Sequence, residues 1–410
     1  MTSNKRTKIE VLPDPTLHHL LNLRPYQEEE RRRFNNHAVL VLMKKKPDAA
    51  KAKYCFYGSS YPIHRAVALG ASWEVIKLFC EAFPEALHEV SHNEKRTPLH
   101  YSLKFNASFE VVRLLLEKNP NALNLQDCSG CTPLHYACRE QASIDIVRLL
   151  VHANEKCLWI KDGQGCMPIH LACAHGATLE VTKLLLETSV QGLEEGDCGG
   201  WTPLHYACYH GAPLEAVQFI VEKYTRSVEA RDNCGRSPFQ LACMNGTKLE
   251  VVQLLLERNP CAIEMIDNSG QTPLHQACCS KSSLEIVQLL LEKYPQAIEV
   301  IDKRGDTPLE CVCGHDEPLG EVVALMTIFH LLLMLTRENF EEAKDILLKF
   351  VQEEWWGGVL AVLDLHPSVA TFMNIQDKLI PALLSMIGRR RKLSTLWHVI
   401  RERPDLIDHS

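Results

Sequence analysis

No stretch of this 410-residue chain is long and apolar enough to span a bilayer. The longest apolar run, Val322 to Leu335, contains Thr327 and His330. It falls short of the roughly 20 residues a membrane helix needs and reads as a buried helix. Residues Met1 to Glu10 lack the apolar core of a secretory leader, so export is not expected. Positive charge is not in excess either. There are 44 Lys and Arg against 51 Asp and Glu, a net charge of −7, which argues against a chain built to neutralise phosphate backbones. No Gly-x-x-x-x-Gly-Lys-Ser/Thr phosphate loop, Gly-x-Ser-x-Gly elbow or kinase motif set occurs. These absences predict a non-catalytic cytoplasmic, or also nuclear, protein with no cofactor, no membrane and no nucleic-acid partner.

Cysteine, by contrast, is plentiful at 17, an odd number. Without a leader this predicts free thiols in a reducing compartment rather than a disulfide framework.

The organising feature is a four-residue word. It reads Tyr61-Pro-Ile-His64, Thr97-Pro-Leu-His100, Thr132-Pro-Leu-His135, Met167-Pro-Ile-His170, Thr202-Pro-Leu-His205, Ser237-Pro-Phe-Gln240, Thr272-Pro-Leu-His275 and Thr307-Pro-Leu-Glu310. The last residues of these words lie 36 apart once and then 35 apart six times running. Thr or Ser before Pro is an N-cap followed by an N1 proline, so a helix starts at each word. Met167 offers no capping oxygen and is expected to weaken its unit by about 1 kcal/mol. Six residues after each His position stands a helix-stop slot: Gly70, Asn106, Gln141, Gly176, Gly211, Gly246 and Lys281. A second, largely apolar helix follows, as in Leu249–Glu257. Pro120, Pro260 and Pro295 then break the chain, and Asp-x-x-Gly (Asp127–Gly130, Asp267–Gly270, Asp302–Gly305) turns it into the next unit.

Thr132-Pro-Leu-His-Tyr-Ala137, Thr202-Pro-Leu-His-Tyr-Ala207 and Thr272-Pro-Leu-His-Gln-Ala277 closely resemble the ankyrin repeat, at a period of 35 rather than about 33 residues. The resemblance implies an all-α repeat solenoid of stacked helix-turn-helix units with turn fingers and helical caps. Three regions are expected: an N-terminal segment with a half-repeat cap (1–54), seven to eight repeats (55–315), and atypical helical repeats with a C-terminal cap (316–410). In the last region Glu338–Trp355 is expected to replace the missing word, and 374–384 and 397–406 echo a terminal unit. In the N-terminal segment, His37 to Pro47 reads as a second helix.

The recurrent histidines form a line rather than a cluster. Gln240 and Glu310 fill the slot in two units, so it calls for hydrogen bonding rather than titration. Cys138, Cys173, Cys208, Cys243, Cys278 and Cys313 recur three residues after the His position, facing the interior as small apolar groups. Cys128, Cys131, Cys166, Cys198 and Cys234 lie on fingers. Cys128-Ser-Gly-Cys131 has the spacing of half a zinc or redox site, but lacks a second pair. Cys131 and Cys166 directly precede helix starts, where a dipole can lower a thiol pKa, so a reactive thiol is preferred over metal. Redox sensing through these thiols, or an activity within 316–410, is the alternative to a scaffold. Arg32-Arg33 and Lys44–Lys46 have bipartite nuclear-import spacing, or simply complement a helix C-terminus.

In ankyrin proteins partners usually dock on the concave face, built from finger tips and the exposed end of each first helix. The resemblance therefore implies protein partners for a monomeric scaffold. By register, the face takes Arg139, Glu140, His175, Trp201, Tyr209, His210, Arg236 and Met244. Exposed Trp, Tyr and Arg suit a binding hot spot; Trp201 could instead fold onto its own finger and stiffen it.

Overall fold

A computed structural model describes residues 12–313, apart from 57, 58, 188, 189, 246 and 281, and scattered positions between 322 and 363. Two compact units divide the chain, Met1–Asn233 and Cys234–Ser410.

In the first unit, regular repeats pair a short helix with a longer one. These are α4 (Pro62–Ala68) with α5 (Trp73–Ala82), α6 (Pro98–Lys104) with α7 (Phe109–Lys118), and α8 (Pro133–Arg139) with α9 (Ile144–Ala153). They continue as α10 (Pro168–Ala174) with α11 (Leu179–Glu187), and α12 (Pro203–Tyr209) with α13 (Leu214–Lys223). Ahead of them come α1 (Pro15–Leu21), α2 (Glu28–Arg32), α3 (Asn36–Lys45) and a minimal antiparallel pair, β1 (Tyr54–Cys55) and β2 (Ser59–Ser60). In the second unit the described residues hold α14 (Pro238–Met244) with α15 (Leu249–Arg258), α16 (Pro273–Cys279) with α17 (Leu284–Lys293), and α18 (Pro308–Cys313). Each described word sets proline at the first helical position.

The second helices bury one stripe and wet the other. In α9 the buried residues are Ile146, Val147, Leu150 and Val151, while Asp145 and Arg148 pair weakly at 4.0 Å on the outside. Each such buried side chain contributes about 1.5–3 kcal/mol. Cys138, Cys173, Cys208, Cys243 and Cys278 are buried as expected; Cys313's side chain lies outside the described residues. The stop slots also behave as read. Gly70, Gly176 and Gly211 take positive φ, and so do Asn106 (52°) and Gln141 (54°). Gly246 and Lys281 lie outside the described residues.

Fingers join edge to edge through one backbone bond per repeat. Cys128 N–H donates to Glu94 O (3.0 Å), Gly163 to Ser129 O, Cys198 to Gln164 O and Asn233 to Gly199 O (each 2.9 Å). In the second unit Asn268 donates to Cys234 O (2.8 Å) and Lys303 to Ser269 O (2.9 Å). This contact explains the finger glycine. Gly130 has φ +77°, and a Cβ there would stand 2.4 Å from Gly163 N.

One expectation needs correction at the N-terminus. The segment expected to hold half a repeat holds both helices, because Asp14 caps α1 by accepting from Thr16 and Leu17 N–H groups. Lys46 of the basic run is tied to the same carboxylate at 2.9 Å. This ion pair holds the Asp14 carboxyl below the usual range. At the other end, the described positions of the long apolar run are helical, and Val322, Leu325 and Met326 are buried. No helix among the described residues is long and apolar enough to cross a membrane. Of the helix expected over 338–355, residues 345–350 are described and helical. The echoes at 374–384 and 397–406 lie outside the described residues.

Candidate functional site

The histidine slot is a joint. His100 Nδ1 accepts from the Thr97 N–H (3.2 Å) and hydroxyl (2.8 Å), so Nε2 carries the proton and donates to Cys131 O at 3.1 Å. His135 repeats this with Thr132 and Cys166 O (2.9 Å), and His275 with Thr272 and Asp306 O (3.1 Å). Gln240 mimics the arrangement, its Oε1 accepting from Ser237 N–H and its Nε2 donating to Gln271 O, both at 3.0 Å. Burial lowers His64, His100 and His170 to about 4, and holds His135 and His275 below their ordinary value. Where histidine or glutamine fills it, the slot is neutral and structural.

At four words the preceding residue links fingers through its side chain. Arg96 Nε donates to Asp127 Oδ2 at 3.0 Å, and Gln271 Nε2 to Asp302 Oδ2 at 3.0 Å. Cys131 and Cys166 fill the same slot, their thiols 3.8 and 3.9 Å from Asp162 and Asp197. This overturns the reactive-thiol expectation for these two. Both are 2% exposed, and burial, with the facing carboxylates, pushes each thiol up to about 11. Helix proximity loses to desolvation here. Cys128, Cys198 and Cys234 are exposed, and among the described residues no three His, Cys, Asp or Glu side chains converge as metal ligands.

The sequence reading missed a further layer of this joint. Tyr136 donates to Asp127 Oδ2 (2.7 Å) and Tyr206 to Asp197 Oδ2 (2.8 Å), while Gln276 reaches Asp267 Oδ2 (2.9 Å). The recurring spacing of nine residues from finger Asp to this side chain was the available signal.

The concave-face candidates are all exposed or half-buried. In the first unit Arg139, His175 and His210 line one groove of about 600 Å3 with Cys128, Gln164 and Tyr206. The Arg139 guanidinium lies 5.4 Å from the Tyr136 ring centre and 3.7 Å from Cys131 Sγ. Desolvation lowers His175, helped by the Arg139 charge, and lowers His210, helped by His175. Glu140 sits at the next position in the chain, half-buried. Beside the groove, Trp201 meets Tyr206 at 5.2 Å and Tyr209 at 5.1 Å, both edge-on. Tyr209 in turn meets His210 edge-on at 5.1 Å. Trp201 thus packs on its own repeat while half-exposed, so the stiffening contact and an accessible ring coexist. Arg236 and Met244 are half-buried in the second unit.

The family model "Ankyrin repeats (3 copies)" matches residues 63–162, 154–232 and 224–302. A search of curated proteins returned no match. Among solved structures 483 chains match, so the architecture alone selects no partner. One is the crystal structure of the ankyrin repeat domain of Bcl-3, titled a unique member of the IkappaB protein family. It is 27% identical over 57% of this chain and 100% of that one, with a TM-score of 0.43. Repeat period, word, finger and family model agree: the chain belongs to the ankyrin-repeat family.

Proposed function

We propose that this chain is a non-catalytic scaffold that binds protein partners on the face made by its fingers and first-helix ends. The observation that carries the reading is the groove lined by Arg139, His175 and His210, flanked by the half-exposed Trp201, Tyr206 and Tyr209 rings. Aromatic rings with one Arg in a partly desolvated hollow are what an interface centre uses. None of Arg139, His175, Tyr209 or His210 is fully buried, so the helical core does not depend on them. In the second unit Arg236 and Met244 hold, by register, the slots that Trp201 and Tyr209 hold in the first, and are proposed as partner contacts of that unit.

The test is capture of partners from the native cell by the tagged full chain, with mass spectrometry of what is retained. A double change, Arg139→Ala with Tyr209→Ala, is expected to lose a partner that the wild type retains, while the melting curve stays close to wild type. Arg113→Ala with Arg148→Ala, on the outer faces of α7 and α9, is the control and should retain it. Equal capture by both variants refutes this site.

A further inference from the structure

In the regular repeats the first helix hands over to the second within four residues, as at 105–108 and 140–143. Between α1 and α3 the handover takes fourteen, residues 22–35. The additional chain reaches forward onto the second-next repeat. Lys104 Nζ donates to the Tyr26 hydroxyl at 2.9 Å, and that hydroxyl donates to Glu94 Oε1 at 3.3 Å. The Tyr26 ring stands edge-on to Phe105 at 5.2 Å, with the Lys104 ammonium 4.9 Å from its centre. Arg31 donates to Phe105 O at 3.3 Å. Glu94, Lys104 and Phe105 occupy finger-tip and first-helix-end slots. One repeat later the last two slots are Arg139 and Glu140, and three repeats later Tyr209 and His210. The segment lies on the face assigned to partners.

Its hold is light. Pro25 is the one buried residue among 22–35, α2 buries no side chain, and Tyr26 is 63% exposed. A cavity of about 100 Å3 remains beneath it, lined in part by Pro25, Tyr26, Arg65 and Tyr101. The segment's hydrogen bonds, to which Arg65 adds one by donating to Leu23 O, are exposed or half-buried. Such bonds and cation–π contacts resist opening weakly, and segments with few buried apolar contacts open first.

We propose that the seat formed by Glu94, Lys104 and Phe105 docks a partner segment carrying a proline–tyrosine pair followed by a basic residue, and that residues 22–35 close it until such a segment arrives. The proposal rests on the scaffold reading and adds the partner's chemistry. Lys104 and Glu94 bracket a hydroxyl, so tyrosine is selected over phenylalanine. The Phe105 carbonyl, which accepts from Arg31 in the closed arrangement, takes the guanidinium. Tethering gives the internal segment a millimolar effective concentration, so a partner must out-compete that occupancy.

The probe is a fluorescein-labelled synthetic peptide with the sequence of residues 22–35, titrated against the full chain by fluorescence anisotropy. The Tyr26→Ala chain, its own anchor removed, is expected to bind the peptide about tenfold or more tighter than wild type. Adding Lys104→Ala to that chain should abolish the gain, and a peptide with phenylalanine for tyrosine should bind more weakly. Equal binding to wild type and Tyr26→Ala, or binding to neither, overturns the proposal. Hydrogen exchange on the wild-type chain gives a second measure. Amides of 22–34 should exchange at least about a hundredfold faster than those of α6, and exchange as slow as α6 refutes displacement. Because the peptide assay involves none of Arg139, Tyr209 or Trp201, its failure leaves the scaffold reading to its own capture test.

Discussion

Replacing His100 by Gln should cost little at neutral pH and should make the protein more resistant to acid. At pH 7, Gln240 shows that a glutamine can accept from the N-cap N–H and donate to the next finger carbonyl, both at 3.0 Å. Its cost at position 100 should therefore stay near 1 kcal/mol, the scale of one imperfect hydrogen bond. Acid reverses the ranking. His100 is fully buried and lowered by desolvation from 6.5 to about 4 in the folded chain. Below pH 6.5 the unfolded chain takes up a proton that the folded imidazole refuses, so stability falls as pH drops from 6.5 towards 4. At pH 5 the loss is about 2 kcal/mol for this one residue, from about 1.4 kcal/mol per unit over the interval below 6.5. Glutamine cannot titrate and escapes that loss, so His100→Gln should be the less stable protein at pH 7 and the more stable one at pH 5. Carboxylates such as Asp127 titrate in both proteins and largely cancel in the comparison. Urea denaturation at the two pH values measures the difference directly. If the gap between the two proteins is the same at pH 7 and pH 5, the neutral, structural assignment of the histidine slot is wrong. His100→Leu, which leaves the buried Thr97 N–H without its acceptor and takes from Cys131 O one of its two donors, should cost several kcal/mol at both pH values.

Lys95 holds the finger slot that glycine fills in later repeats, with φ +53°. Lys95→Gly should stabilise the chain by about 0.5–1 kcal/mol in chemical denaturation, and a loss would remove the strain argument. Met167→Thr should not raise the melting temperature. The cap gains about 1 kcal/mol, but Met167 is 1% exposed and its lost burial costs at least as much. Iodoacetamide at pH 8 should modify Cys128 and Cys198 in the native protein, while Cys131 and Cys166 react only after unfolding. Mass spectrometry of the labelled peptides decides it, and native labelling of Cys131 would restore the reactive-thiol reading.

The parts of the fold legible in the sequence are those fixed by backbone geometry. Pro at the first helical position and Gly in the left-handed stop slots are demanded by φ alone, so Thr132-Pro133 and Gly176 could be read without a neighbour in view. Met167 was misjudged because its capping role is local but its burial is set by the adjoining repeat. Cys131 and Cys166 were misread for the same reason, since the carboxylates facing them arrive from 31 residues further on. The slot before the word was hidden by its variety, because Arg, Cys and Gln look unrelated until each is seen near an aspartate. The handover at 22–35 left no periodic trace. It became visible only when Asp14-Pro15 proved to start a helix.

The side-chain link between fingers has a consequence for how such a chain can lengthen or shorten. At four joints a donor just before the word meets the aspartate that starts the next finger, 31 residues on: Arg96 meets Asp127, Cys131 meets Asp162, Cys166 meets Asp197 and Gln271 meets Asp302. A gene segment of one period, duplicated or lost whole, removes one complementary half at each cut and leaves two halves that still match. The identity of the donor is then free to drift between guanidinium, thiol and amide, because the aspartate accepts from all three. Copy number in this chain is thus separable from the chemistry of its joints, and change in length and change in surface can proceed independently.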